Sequence, residues 1–269
     1  MNTAVVLIIS HKPDLSGSES ASLKQCMRIL GNYSTVLICP EGMDVTTYKH
    51  VAPELHYDFI NPTWLSSYRS FNRLKISPLL YQKYRTFEYI LFYELDAWVF
   101  RNELEFWCKE GYDYIGSPWF EGFYLAKPNS EFLGVGNGGF SLRKTSSHLK
   151  ALRSWKYITP LAVLLKEFIS HPSPYTARKL MRNLTIENNI FHAANNYSEN
   201  EDLFWGLVVA EKFPWFRVPD PVTASHFAME FNAPVLFERN SHKLPFGCHK
   251  WEALHPDFWK QFIHIDDQT

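Results

Sequence analysis

The chain has 269 residues, 46% of them hydrophobic and 16% aromatic, and a formal net charge of −1 at pH 7. That apolar content supplies a full core for one large α/β domain or two small ones. The near-zero charge excludes an overall basic field of the kind that draws in nucleic acid or an anionic membrane, so an anionic ligand must be met by local Lys, Arg or metal.

The opening "MNTAVVLIISHKPD" has no basic n-region, and its apolar run from Ala4 to Ile9 is too short for a signal core or a membrane span. It is predicted to be a first buried strand. Ser16 or Ser18 then caps a helix with apolar positions at Leu23, Met27 and Leu30, closed by Gly31. "STVLICP" reads as a second strand, "HYDFI" as a weaker third, and "SYRSFNRLKISPLLYQKY" as an amphipathic segment broken at Pro78. With "YILFYELD" as the next strand, the alternation predicts a mostly parallel sheet covered by helices on both faces.

After Arg101, "ELEFWCKEG" reads as a short helix, "YDYIGSPW" as a strand and loop, and "FLGVGNGGFSLRK" as a Gly-rich turn entering a strand. Thr145 to Phe191 is mostly helical with a Pro-broken gap at "SHPSPYT", and "ENEDLFWGLVVAEKF" is a strong helix. "PVLFERNSHKLPFGCHKWEALHPDFWKQFI" gives a strand, a polar loop and a final helix. No repeat or linker divides the chain, so one domain over 1–269 is expected. The apolar "PLAVLLKEFI" is broken by Lys166 and Glu167, which argues against a later membrane span and for the cytoplasm. Cys26, Cys39, Cys108 and Cys248 lack CxxC spacing and are expected to be core thiols.

Four constellations carry chemistry. Glu94 and Asp96, one residue apart on a strand, share a face. Placed where a parallel strand ends, they face the crevice in which α/β sheets bind ligands, and two hard oxygen ligands beside a diphosphate suit Mg²⁺ or Mn²⁺. A structural alternative pairs Glu94 with Arg85 or Arg101 and gives Asp96 to a turn. In "GVGNGGFSLR", Gly138 and Gly139 permit positive φ and close approach of a ligand, and Asn137 suits a sugar hydroxyl; a plain tight turn fits too. In "SENEDLFW", Ser198 and Glu201 have capping-box spacing and Asp202 complements a helix dipole, yet an acid there also suits a general base. In "PFGCHKW", His249 beside carboxylates suits Mn²⁺, and Lys250 would neutralise a phosphate.

In this order and spacing the four pieces resemble the GT-A class of nucleotide-sugar glycosyltransferases. More narrowly, "YILFYELDAWVF", "GYDYIGSPW", "VGNGGFSLR", "NEDLFW" and "PFGCH" resemble a bacterial and fungal family of unassigned glycosyltransferase-like domains, from about Tyr68 to Trp251. The resemblance implies a single α/β GT-A (Rossmann-like) domain with a helical insertion, its nucleotide-binding half at about 1–101 and its acceptor-side half at about 102–269. It implies metal ligation by Asp96, Glu94 and His249, with Glu94 departing from the first acid of a DxD pair by its longer reach. "FNRLKI" is similar to a segment in which an Arg reaches the nucleotide diphosphate, a role that falls to Arg73 with Asn72 nearby; a solvated helix residue is the alternative.

The expectation is therefore a Mn²⁺- or Mg²⁺-dependent transfer of a sugar from a nucleotide diphosphate sugar to a hydroxyl of a glycan or lipid-linked saccharide, in surface polysaccharide or glycan synthesis. Contact with a membrane would be peripheral, at its inner face. Ser10, His11 and Lys12, following the first strand, would border base and ribose. Asp202 would take the acceptor proton, giving inversion; retention remains open. Glu201 and the Asn137–Gly139 backbone would hold sugar hydroxyls, and Trp119 with Phe120 would offer a ring platform. Two rivals stand: a sugar-nucleotide nucleotidyltransferase using the same acids and metal, and a non-catalytic carbohydrate-binding protein.

Overall fold

The computed structural model describes residues 2–127, 129–185 and 188–265. Strands β1 (Asn2–Ile9), β2 (Ser34–Pro40), β3 (His56–Ile60) and β4 (Phe87–Tyr93) run parallel in the order β3-β2-β1-β4. The short strands β5 (Ala97–Val99), β6 (Tyr114–Ile115), β7 (Ser117–Phe120) and β8 (Phe132–Gly136) follow, then β9 (Phe140–Lys144), β10 (Ala228–Met229) and β11 (Gly247–His249). Antiparallel β9 and then β6 extend the main sheet beyond β4 to six strands. A small sheet β10-β11-β5 and a ribbon β7-β8 complete the strands. The mostly parallel, helix-flanked α/β architecture expected from the sequence is the one observed.

Alternation along the strands builds two cores at once. Ala4, Val6 and Ile8 of β1 join Leu23, Cys26 and Leu30 of the helix Gly17–Leu30 on one face of the sheet. Val5, Leu7 and Ile9 join Leu74 and Ile76 of the helix Tyr68–Ile76 and Trp205 on the other. Ser16 caps the first helix and Gly31 is its C-cap, as the sequence predicts, and Glu19 completes a capping box that was not expected. All four cysteines are buried and free.

Several segments differ from expectation. "PVLFE" lies in a helix, Ala233–Arg239, rather than a strand, because Pro234 sits in the first turn where its missing N–H costs nothing. The "NEDLFW" helix starts at Asn200 without a capping box, since Ser198 turns to Glu199 instead. It passes into a π-helical stretch, Phe204–Val209, where Gly206 lies against the carbonyl of Val135 at a distance that leaves no room for a Cβ. The strand "YILFYELD" stops at Tyr93, and Glu94–Ala97 is a turn closed by the Ala97 N–H on the Glu94 carbonyl.

The chain passes from β1 to β2 and β3 on one side and then crosses to β4 on the other. The C-terminal ends of β1 and β4 therefore flank the switch point where open α/β sheets bind ligands.

Candidate functional site

A cleft of about 620 Å³ opens at that switch point. Ser10, His11 and Lys12 line it from the end of β1, Tyr68 and Phe71 from a helix, and Glu94 and Asp96 from the turn after β4. The loop is held by its own neighbours: the Tyr48 hydroxyl lies 2.9 Å from Ser10 Oγ and from the Lys12 carbonyl, and Lys12 Nζ pairs with Glu19 at 2.9 Å. Tyr68, Phe71 and Glu94 also border a second, narrower pocket of about 110 Å³. That pocket is ringed by Lys75, Gly138, Gly139, Glu201, Asp202, Glu230, His249 and Lys250.

Glu94, Asp96 and His249 meet at the junction, with one ligand atom from each lying within 4.8 Å of the others. The acids converge because the turn folds them together, not because they share a strand face. His249 is buried and arrives on β11, which pairs antiparallel with β5 so that His249 stands opposite Ala97. Its Nδ1 lies 3.1 Å from Glu230 Oε1, and Lys250 Nζ lies 3.0 Å from the same oxygen. Nε2 faces Asp96 Oδ1 at 3.1 Å and Glu94 Oε2 at 3.6 Å, but is not aligned for a hydrogen bond and has no hydrogen-bond partner among the described residues.

A carboxylate on one imidazole nitrogen and an unbonded nitrogen aimed at two carboxylates is the arrangement of a metal-ligating histidine with its orienting partner. The donor set of imidazole and two carboxylates fits Mn²⁺ or Mg²⁺. Burial opposes the protonated ring, yet Asp96, Glu230 and Glu94 outweigh it and raise the His249 pKa well above its ordinary value: the site attracts positive charge.

Glu94 pairs with Lys75 rather than with Arg85 or Arg101. Burial raises its pKa, but the Lys75 ammonium and His249 hold the carboxyl well below the usual range. Lys75 is itself buried, donates to the Gly138 carbonyl at 2.9 Å, and sits over the Phe71 ring.

Behind it, Arg143 is fully buried and forms an ion pair with Glu201 at 2.7 Å, with a hydrogen bond to the other oxygen at 2.9 Å. It lies over the Phe92 ring at 4.2 Å and also bonds the Tyr81 hydroxyl and Ser141. Removing one partner of such a buried pair typically costs about 3–5 kcal/mol. Glu201, expected at a sugar hydroxyl, thus has its carboxylate committed to Arg143, and its backbone N–H donates to Asn72 Oδ1 at 2.8 Å.

Asp202 forms no such ion pair among the described residues. It is half-buried beside the pocket and accepts only the Leu203 N–H, at 2.9 Å, among the described hydrogen bonds. Burial first, then the charges of Glu201 and Glu230, lift its pKa from 3.8 to about 6.

The glycine loop works differently from the expectation. The positive φ falls on Asn137 (110°), whereas neither Gly138 nor Gly139 has one. Each glycine makes room for a side chain instead: a Cβ on Gly139 would lie 2.1 Å from His249 Nε2, and one on Gly138 would lie 2.5 Å from Glu201 Oε1. Asn137 is buried and spends its Oδ1 on the Gly139 and Phe140 N–H groups, at 2.9 and 3.1 Å, so it shapes the loop rather than lining either pocket.

Two further expectations are displaced. Arg73 points away from the cleft and donates to the Ala194 carbonyl and Asn195 Oδ1, at 2.8 and 2.9 Å, because the phase of its helix turns Lys75, not Arg73, toward the site. Trp119 and Phe120 are buried in a third apolar cluster, with the Trp119 ring stacked on Gly136, so they offer no platform to a ligand.

Sequence reasoning missed Lys75, Arg143 and Glu230. Lys75 was legible as the third member of a Tyr68, Phe71/Asn72, Lys75 helical stripe. Arg143 shares a strand face with Ser141, and Glu230 is a lone acid in the apolar stretch "HFAMEF".

No curated protein matches the chain significantly. Among solved structures it is similar to the apo form of mouse xyloside xylosyltransferase 1, with 12% identity, 92% of this chain and 96% of that one covered, and a TM-score of 0.48. It is also similar to an active-site mutant of LgtC, with 11% identity, 91% and 86% covered, and a TM-score of 0.46. A third is core-mannan synthase A (CmsA/Ktr4) from Aspergillus fumigatus in its Mn/GDP form, with 10% identity, 75% and 71% covered, and a TM-score of 0.40. The family model described as "Protein of unknown function (DUF5672)" matches residues 54–249, a span that takes in Lys75, the Glu94–Asp96 turn, the glycine loop, Asp202 and His249, and the chain belongs to that family.

Proposed function

We propose that the protein is a metal-dependent glycosyltransferase that moves a sugar from a nucleotide diphosphate sugar to a hydroxyl acceptor, with inversion. The observation that carries the reading is the convergence of Glu94, Asp96 and the unbonded Nε2 of His249 at the junction of a large cleft and a narrow polar pocket. The cleft's volume, about 620 Å³, falls within the roughly 300–1,000 Å³ usual for small-molecule sites.

In this reading Ser10, His11 and Lys12 border the nucleoside, and Asp96 and His249 hold Mn²⁺ or Mg²⁺ with Glu94. When bound, the cation neutralises charge that develops on the departing diphosphate. Lys75 keeps Glu94 ionised and fixes the Gly138 carbonyl, so that the pocket wall does not collapse onto the metal side. Lys250, beside Glu230, supports phosphate charge at the pocket's rim.

Asp202 receives the acceptor proton. Among the described residues its carboxylate forms no ion pair, and a pKa near 6, with Lys75 lowering it less than burial and the neighbouring acids raise it, suits proton transfer close to neutral pH. Residues up to about 101 would serve the donor and those beyond it the acceptor, although β9 and β6 join the first half's sheet and the division is one of roles.

The test is a thermal-shift screen of nucleotide diphosphate sugars with and without Mn²⁺. A true donor at a hundred times its Kd stabilises the fold by about 2.7 kcal/mol. Stabilisation that needs both nucleotide sugar and Mn²⁺ supports the reading. A shift from free glycan alone, without nucleotide, would point to a carbohydrate-binding protein instead. The anomeric configuration of the product, read by NMR, decides inversion: a match with the donor's would remove the base role from Asp202.

A further inference from the structure

We propose that the helical hairpin at 161–183 seats the protein on an anionic lipid surface. The inference goes beyond the proposed chemistry and does not depend on it.

The helix Leu161–Ser170, "LAVLLKEFIS", is mostly apolar, yet Leu164 is its single buried residue. Its partner Pro174–Asn183 likewise buries only Thr176. The two helices pack on each other and leave large side chains in the open: Val163 is 52% exposed, Ile169 75%, Tyr175 72%, Met181 70% and Leu184, just past the second helix, 52%. Isolated exposed apolar residues are ordinary, but a mostly apolar helix with one buried side chain is a surface awaiting a partner.

Charge identifies the partner. The hairpin carries Lys166, Arg178, Lys179 and Arg182 against one acid, Glu167, in a chain whose overall charge is −1. Lys179 holds both oxygens of Glu167 at 2.8 Å across the hairpin, which neutralises that acid and leaves the net charge positive. A second copy docking through the same face would set like charge against like charge. An anionic bilayer surface meets both features, since apolar side chains enter the headgroup boundary while the exposed Lys166 and Arg178 extend to lipid phosphates.

Length agrees with lying on a bilayer rather than crossing it. Ten residues at 1.5 Å each make a helix of about 15 Å, half the roughly 30 Å of a hydrocarbon core. Among the described residues no helix is long and apolar enough to cross a membrane.

Flotation of the full chain with vesicles tests the proposal. Wild type is expected to bind phosphatidylcholine–phosphatidylglycerol vesicles roughly tenfold or more better than phosphatidylcholine alone, with the difference shrinking in high salt. Ile169→Glu with Met181→Glu, and separately Lys166→Glu with Arg178→Glu, should each reduce binding about tenfold or more while leaving Tm unchanged, because these side chains are exposed. Absence of binding to the anionic vesicles, or variants that bind as wild type does, overturns the proposal. So does a dimer seen by light scattering that Ile169→Glu dissolves, which would assign the face to a second copy. The readout uses neither nucleotide sugar nor metal, so it stands or falls apart from the transferase reading.

Discussion

Glu201 and Asp202 are adjacent at one helix start and both border the narrow pocket, yet Arg143 pairs with the first while the second accepts only the Leu203 N–H among the described hydrogen bonds. Their neighbours set opposite consequences. For Asp202, burial followed by the charges of Glu201 and Glu230 places the folded-state pKa at about 6, above its ordinary 3.8. The stability this group contributes is therefore fully present below about pH 4 and is lost as pH rises through about 6, where the ionised carboxylate burdens the fold. Asp202→Asn should accordingly raise Tm at pH 8, leave it nearly unchanged at pH 4, lower the rate by about 10²–10⁴, and abolish an acidic limb in the rate profile centred near pH 6. A residue that only complements the helix dipole would behave in the reverse way: Asn would cost about 0.3–1 kcal/mol at pH 8 and little activity. Which acid of the "NED" run faces a cation could not be read from the string, because Arg143 arrives from a strand distant in sequence.

At the scale of elements, sequence reasoning succeeded where the signal is local. Strands β2 and β3 coincide with "STVLICP" and "HYDFI", and Ser16 and Gly31 bound the first helix, since capping and strand alternation depend on neighbouring residues alone. It failed where the phase of a helix or a long-range contact decides. Arg73 and Lys75 are two residues apart on a helix and hence point in different directions. In the glycine loop the expected positive φ falls on Asn137 rather than on Gly138 or Gly139. Its glycines admit side chains from β11 and from the helix at Glu201, which no local pattern announces. Gly139→Ala tests that account: the added Cβ forces the His249 ring off Glu230 and away from the two acids. Mn²⁺ affinity by calorimetry is expected to fall about 10–100-fold, the usual effect of disturbing a ligand's orienting partner. The metal-free Tm should fall little. A large loss of Tm with unchanged Mn²⁺ affinity would make the glycine a matter of folding only.

For the molecule as a whole, the parallel order β3-β2-β1-β4 puts the loop after β1 and the turn after β4 side by side, and β9 carries the glycine loop to the same edge. The small sheet β10-β11-β5 then brings His249 back from near the chain's end to meet residues 94 and 96. Alternation of strands and helices made the parallel sheet legible, whereas the addition of β9 and β6 was not, because antiparallel pairing at an edge leaves no periodic trace. In the proposed function this convergence serves a cation that assists departure of a nucleoside diphosphate. The most direct measurement is the product released from a stabilising nucleotide diphosphate sugar in the presence of Mn²⁺, compared between wild type and Asp96→Ala. Mn²⁺-dependent release of nucleoside diphosphate is expected from wild type and none from Asp96→Ala, which should also lose Mn²⁺-dependent donor binding while keeping its fold. Release of pyrophosphate, or undiminished turnover by Asp96→Ala in EDTA, would contradict it.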